Sequence, residues 1–246
     1  MYITHLRSLL HLRWQKVILS IFIVIYGLSE SSQAQNSSYF RKHLEYYDDK
    51  PIHYGFLFAL PVTRFNIVHN NSFLNQDTTN RITSPASAGF RMGFVVNGYL
   101  NENWDIRTTP SVSLYDRMVE YEFAKGGKRS ELREATWLEF PVLLKYKSQR
   151  RQNTRMYMLA GMTFGFETNV RKRLRQGSDF LNTRNYDLTL DYGFGLEQFL
   201  AYTKFSPEIR FSHGLINLFS PNDKNSASNS IRRLTSHSIT IYLMFE

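Results

Sequence analysis

From Tyr54 onward, large apolar residues recur at every second position, the period of a half-buried strand; no long segment keeps a helical apolar period. The cleanest run is Trp104–Leu114, where Trp104, Ile106, Val112 and Leu114 alternate with Asp105, Arg107, Thr109, Ser111 and Ser113. Seven other runs behave alike: Tyr54–Val62, Phe90–Val96, Leu138–Tyr146, Met156–Phe166, Leu188–Leu196, Phe205–Phe211 and Ile239–Phe245. Eight strands are therefore predicted.

Connection lengths alternate too. Short links fall at Leu100–Asn103, Ser148–Thr154 and Leu200–Thr203, and long polar ones at His69–Ser87, Ala124–Ala135, Arg171–Asp187 and Leu215–Ser236. Short turns at one end and long loops at the other predict an all-β fold: an eight-stranded antiparallel up-and-down transmembrane β-barrel. An even strand number puts both ends of the barrel on the short-turn, periplasmic side. A soluble lipocalin-like barrel is the alternative, with its apolar face inward. The membrane barrel is preferred because one face carries Phe and Met at every second position. The other mixes glycine with both signs of charge, as suits a narrow lumen filled by side chains. Pro61, Pro110, Pro141 and Pro207 fall inside these runs and should mark bulges or strand ends, since proline lacks the ladder donor.

Ahead of the strands, residues 1–16 carry Arg7, Arg13 and Lys16 without an acid. The 12 apolar residues Val17–Leu28 and the small-residue site Ser32-Gln33-Ala34 follow. This order predicts a secretory signal over residues 1–34. A 12-residue helix reaches about 18 Å, too short for a hydrocarbon core of about 30 Å. Residues 35–50 then form a polar, aromatic periplasmic lead-in, and 51–246 the barrel domain. Aromatics reach 15% of the chain, normal for a β-chain with aromatic girdles. A mean hydropathy of −0.37 excludes a multi-helix membrane protein. The absence of cysteine excludes a disulfide framework and a thiol nucleophile. Without the signal, 27 basic and 20 acidic residues leave a formal +7, which points to an anionic partner.

Candidate chemistry is sparse. Arg91, Arg107, Lys145 and Arg210 share the polar parity with Glu139, Glu167, Asp191, Glu197 and Glu208. Arg91, Arg107, Glu139, Lys145, Glu197, Glu208 and Arg210 are expected to form a paired charge network in the lumen, because an unpaired buried charge costs several kcal/mol. A proton or substrate path is the other reading of the same residues. Ser212 and His213 adjoin in sequence but fall on opposite faces of a strand. His43, His53, His69, His213 and His237 are scattered without metal-ligand spacing. With no phosphate loop or dinucleotide fingerprint, no cofactor, small-molecule substrate or catalysis is expected. The loops hold further charge: Arg171, Lys172, Arg173 and Arg175 in the third, Lys125, Lys128, Arg129 and Arg133 in the second, Arg232 and Arg233 in the fourth. Facing outward, they would meet lipopolysaccharide phosphates or an acidic protein surface rather than nucleic acid; a merely solvated loop is the plainer reading.

Several strings are specific. Trp137–Tyr146 (WLEFPVLLKY), Met158–Phe166 (MLAGMTFGF), Asp191–Glu197 (DYGFGLE) and Lys204–Leu218 (KFSPEIRFSHGLINL) resemble outer-membrane β-barrel proteins of Bacteroidetes. More narrowly they are similar to the PorT family, also called SprT, and Asp49–Phe58 (DKPIHYGFLF) resembles the start of that family's first strand. The resemblance implies an outer-membrane part of the type IX secretion machinery, which exports proteins bearing a C-terminal sorting domain and supports gliding in some species. Its partners would be other machinery proteins and outer-membrane lipid, and it brings no catalytic residues. One departure from the general barrel pattern is that Phe245 is followed by Glu246. The competing functions are a structural or adhesive barrel binding surface ligands, and a small lipid-modifying enzyme of the outer membrane.

Overall fold

The computed structural model describes residues 42–69, 79–123, 127–168, 183–220 and 231–246. Their strands are β1 (Ile52–His69), β2 (Thr79–Thr83), β3 (Ser87–Tyr99), β4 (Trp104–Thr108), β5 (Ser111–Phe123), β6 (Lys128–Lys147), β7 (Thr154–Glu167), β8 (Tyr186–Phe199), β9 (Lys204–Gly214) and β10 (Ile231–Phe245). Every pairing is antiparallel, and β1 pairs with both β3 and β10, so the sheet closes on itself. β2 with β3 makes one wall strand and β4 with β5 another, so the ring has eight strands. Where β1 pairs with both neighbours, closure leaves the described wall strands without an open edge, the condition for crossing a bilayer as sheet; the strand extensions at the long-loop end are paired on one side only.

The alternation is inverted relative to a soluble protein. Phe94, Met156 and Met158 are 64–70% exposed, whereas Arg107, Lys145, Glu197, Lys204 and Arg210 are fully buried. A lipocalin-like barrel demands the opposite, and that alternative falls. At the short-turn rim, Phe56 and Phe205 flank Phe245, and Trp104 packs on Tyr146. Such rings suit the boundary between hydrocarbon and headgroup.

Two expectations are corrected. First, the prolines do not make bulges. Pro61, Pro141 and Pro207 stay in register with Thr240, Thr163 and Leu243. Each is unpaired only toward its other neighbour, and the register resumes unchanged beyond it. A strand residue aims its N–H and C=O at one neighbour only, so a proline interrupts one ladder and spares the other. Only Pro110 marks a strand end, between β4 and β5, and its carbonyl still accepts from Phe94 N at 3.0 Å. Second, the strands outrun the apolar pattern at the long-loop end. Lys128, Arg129 and Arg133 lie within β6, and Arg232 and Arg233 within β10. β2 falls inside the expected first loop. Ser84 spans the break after it, accepting from Phe65 N (3.1 Å) and donating to Met118 O (2.7 Å).

The interior is also more apolar than the pattern implied. Leu57, Ala59, Val95, Tyr242 and Met244 form one inward cluster, and Leu143, Tyr157 and Leu159 another.

Candidate functional site

The lumen has three tiers, set by which inward residues each strand offers at each height. The tier nearest the short turns is ionic. Glu197, on β8, is fully buried and faces four cations: Lys145 in direct contact, Arg155 at 2.6 Å, Lys204 at 3.1 Å and Arg107 at 3.7 Å. Arg107 also reaches Glu246 (3.2 Å) and Glu208 (3.3 Å), and Glu208 holds Arg210 at 2.6 Å. Asp105 binds Lys147 at 2.7 Å and lies 3.6 Å from Lys145. Tyr157 donates to Glu208 at 2.8 Å. Its ring fits because position 195 is glycine; a Cβ there would lie 2.5 Å from the phenol. Few donors and acceptors are left over, as burial of charge requires.

The structure places the seven sequence-derived lumen residues inside the barrel and joins them into two groups. Arg107, Lys145, Glu197, Glu208 and Arg210 belong to the ionic tier, while Arg91 and Glu139 pair at 2.5 Å in the tier above. Asp191 lies in that middle tier too, accepting from Thr163 and from Thr189 (2.8 Å). Glu167 is half-buried near the long-loop end. Sequence reasoning missed Lys147, Arg155, Lys204 and Glu246 as members, although each continues the inward parity of its strand. Parity also separates Phe245 from Glu246. Phe245 turns outward into the aromatic belt and Glu246 turns inward, where Lys204 (2.9 Å) and Arg107 hold it. Burial alone would raise the Glu246 carboxyl; these cations instead hold it down at about 2.

The lead-in takes part as well. Tyr47 stacks on His53 with ring centres 3.9 Å apart and donates to Glu246 at 2.9 Å. Burial, and then Glu246, push its phenol well above the usual range. Asp48 accepts two bonds from Arg155 (3.1 and 3.2 Å), and Arg150 donates to the carbonyls of His43 and Leu44. Residues 42–50 thus fold onto the short-turn end and close it. No periodicity in that segment signalled this.

Above the ionic tier lies a polar chamber with a cavity of about 30 Å³, room for about two waters. Thr63, Thr163, Asp187, Asp191, Ser212 and Ser236 line it together with Arg117 and Trp137. Arg117 donates to Thr63 (3.2 Å) and Tyr115 (3.2 Å) and lies over the rings of Phe65, Tyr115 and Trp137. The third tier is an apolar cap of Phe65, Ile82, Val119, Tyr121, Leu218, Phe219, Ile231 and Leu234. Leu218 N donates to Leu234 O (2.8 Å) and Arg184 N to Leu218 O (2.9 Å), pinning the 215–219 segment into the barrel mouth.

Outside the barrel, Ser212 and His213 do diverge: Ser212 is buried and His213 meets His237, Nδ1 to Nδ1, at 2.7 Å. The two histidines are paired across β9 and β10, a meeting that their separation in sequence concealed. The predicted loop cluster Arg171, Lys172, Arg173 and Arg175 lies outside the described residues, as do Lys125 and the signal segment 1–34.

Residues 33–220 match the family described as outer membrane protein beta-barrel domain. Among solved structures, the outer membrane protein OprG from Pseudomonas aeruginosa is similar at 14% identity and a TM-score of 0.41, covering 79% of this chain and 91% of that one. Neisserial surface protein A (NspA) is similar at 8% identity and a TM-score of 0.38, covering 79% of this chain and 98% of that one. No curated protein matches significantly. By the extent of the family match, this chain belongs to the outer membrane protein beta-barrel domain family, an outer-membrane barrel by descent as well as by its inside-out alternation.

Proposed function

We propose that this barrel is an accessory component of the type IX secretion machinery, acting by binding other machinery proteins rather than by conducting cargo. One observation carries the second half of that reading. The lumen is occupied at both ends, by the Glu197-centred ion network with the docked lead-in at one and by the Phe65–Leu218 cap at the other. A lumen filled in this way passes no folded protein. The resemblance of the Lys204–Leu218 and Asp191–Glu197 strings to the PorT family supports the first half. On this reading both chain ends face the periplasm and the long loops face the cell exterior.

Recognition then belongs to the loops or to the lead-in, since the apolar outer strands satisfy lipid and carry little specificity. The third loop, with Arg171, Lys172, Arg173 and Arg175 followed by Phe180 and, at the start of β8, Tyr186, is a basic and aromatic mixture of the kind enriched at interaction hot spots. Deleting the gene and assaying secretion of sorting-domain proteins tests the role; loss of secretion is expected, and normal secretion contradicts it. Replacing the four basic residues with Ser should leave the barrel folded, because a loop charge that meets solvent adds little stability, yet impair secretion. A variant that secretes like the parent would move the interaction to the lead-in 35–50.

A further inference from the structure

We propose that Arg64, His213, Arg233 and His237 form an outward-facing site for the phosphate of a phosphorylated glycolipid in the outer leaflet. The four lie on adjacent strands. Arg64 on β1 is paired with His237 on β10, which is paired with His213 on β9; Arg233 lies four residues before His237 on β10, opposite Val68. The row directly below, Val62, Ile239 and Phe211, is in the same register and apolar. The step from acyl-facing to basic side chains therefore takes two residues, about 7 Å along a strand. This is where the hydrocarbon band meets headgroups, and where a cation on the lipid face ceases to be costly.

The cluster is uniformly donor-rich. Among the described residues on the outer faces of β8, β9, β10 and β1 there is no Asp or Glu; every acid of these strands faces the lumen. The exposed Arg64 guanidinium makes no hydrogen bond or ion pair among the described residues, and Arg233 spends one donor on Leu215 O at 3.2 Å. The histidines share a proton between their facing Nδ1 atoms. Tyr192 stacks on His213 and its hydroxyl meets Nε2 at 3.0 Å, which leaves Nε2 of His237 open among the described residues. Phosphate oxygens would accept from Arg64 and His237 as charge-assisted bonds, and Arg233, about 13 Å further along β10, adds positive charge above them. A free anion would use only this upper row, whereas a lipid also fills the apolar rows beneath. That continuity favours the lipid. The site rests on the outer-membrane barrel reading and is independent of the secretion role, so a negative secretion assay leaves it standing.

The test uses the full-length mature protein in detergent micelles, with lipid retention read by native mass spectrometry. The probes are a bisphosphorylated lipid A and the same lipid stripped of its phosphates. The parent should retain the phosphorylated form roughly tenfold better, and the Arg64→Gln/His213→Gln/His237→Gln variant should lose most of that preference. Heat-modifiability on a gel reports folding. If the triple variant does not fold, Arg64→Gln alone, at an exposed side chain, should still weaken retention measurably. Equal retention of the two probes by the parent, or undiminished preference in a folded variant, overturns the proposal. So does displacement of the lipid by millimolar inorganic phosphate, which would show an anion site that needs no acyl chains.

Discussion

The two halves of the lumen solve the same packing problem differently. Near the short turns, Glu197, Glu208 and Glu246 interlock with Arg107, Lys145, Lys204 and Arg210, all at full or nearly full burial. Near the long loops, hydroxyls replace most of the charges, Arg117 rests on aromatic faces, and a cavity remains below an apolar cap. The ionic half depends on every member, because removing one charge strands several others in a low-dielectric interior. The upper half holds fewer charges, the Arg91–Glu139 pair and the Asp187 and Asp191 carboxylates bound by hydroxyls, so the loss of one hydroxyl bond there is local. The barrel thus has a coupled ionic base and an upper lumen of more local bonds.

Glu197→Gln should break this contrast most strongly. It leaves Lys145, Arg155, Lys204 and Arg107 facing a neutral amide, and a loss of about 3–5 kcal/mol is expected, read by urea unfolding in micelles. A loss under about 1 kcal/mol would mean that the base is not a coupled network.

Acid should dissect the same half. The Glu246 carboxyl sits at about 2 against an ordinary 4.5. A depressed carboxyl contributes stability above its unfolded value, and that contribution disappears as pH falls through the folded one. Each pH step between the two values is worth about 1.4 kcal/mol, so roughly 3 kcal/mol should drain away on acidification across that interval. Glu246→Gln should flatten the stability profile between pH 4.5 and about 2; an unchanged slope would remove Glu246 from the network.

The smallest effect belongs to the polar chamber above the ionic base. Asp191→Asn weakens bonds from Thr163 and Thr189 and should cost about 1–2 kcal/mol. A cost equal to that of Glu197→Gln would erase the distinction between the halves.

How far the sequence led follows the same division. Period-two alternation is legible wherever one face meets lipid, so the parity of Glu197, Glu208, Arg107 and Arg210 could be read directly. Beyond the bilayer that constraint lapses. Lys128–Ala135 carries charge at most positions and reads as loop, yet β6 runs through it because β5 supplies ladder partners. The apolar cap was hidden because Leu218 and Phe219 belong to an irregular segment with no period. Docking of Tyr47 and Asp48 depends on partners more than 100 residues away. The prolines misled because sequence does not show which neighbour each missing N–H would have faced.

The barrel is closed at its base, and conductance tests that closure most directly. Purified protein inserted in a planar lipid bilayer at neutral pH should give no large, stable current, because the Glu197 network and the docked lead-in fill the base of the lumen. A steady current of porin size from folded protein would contradict the account.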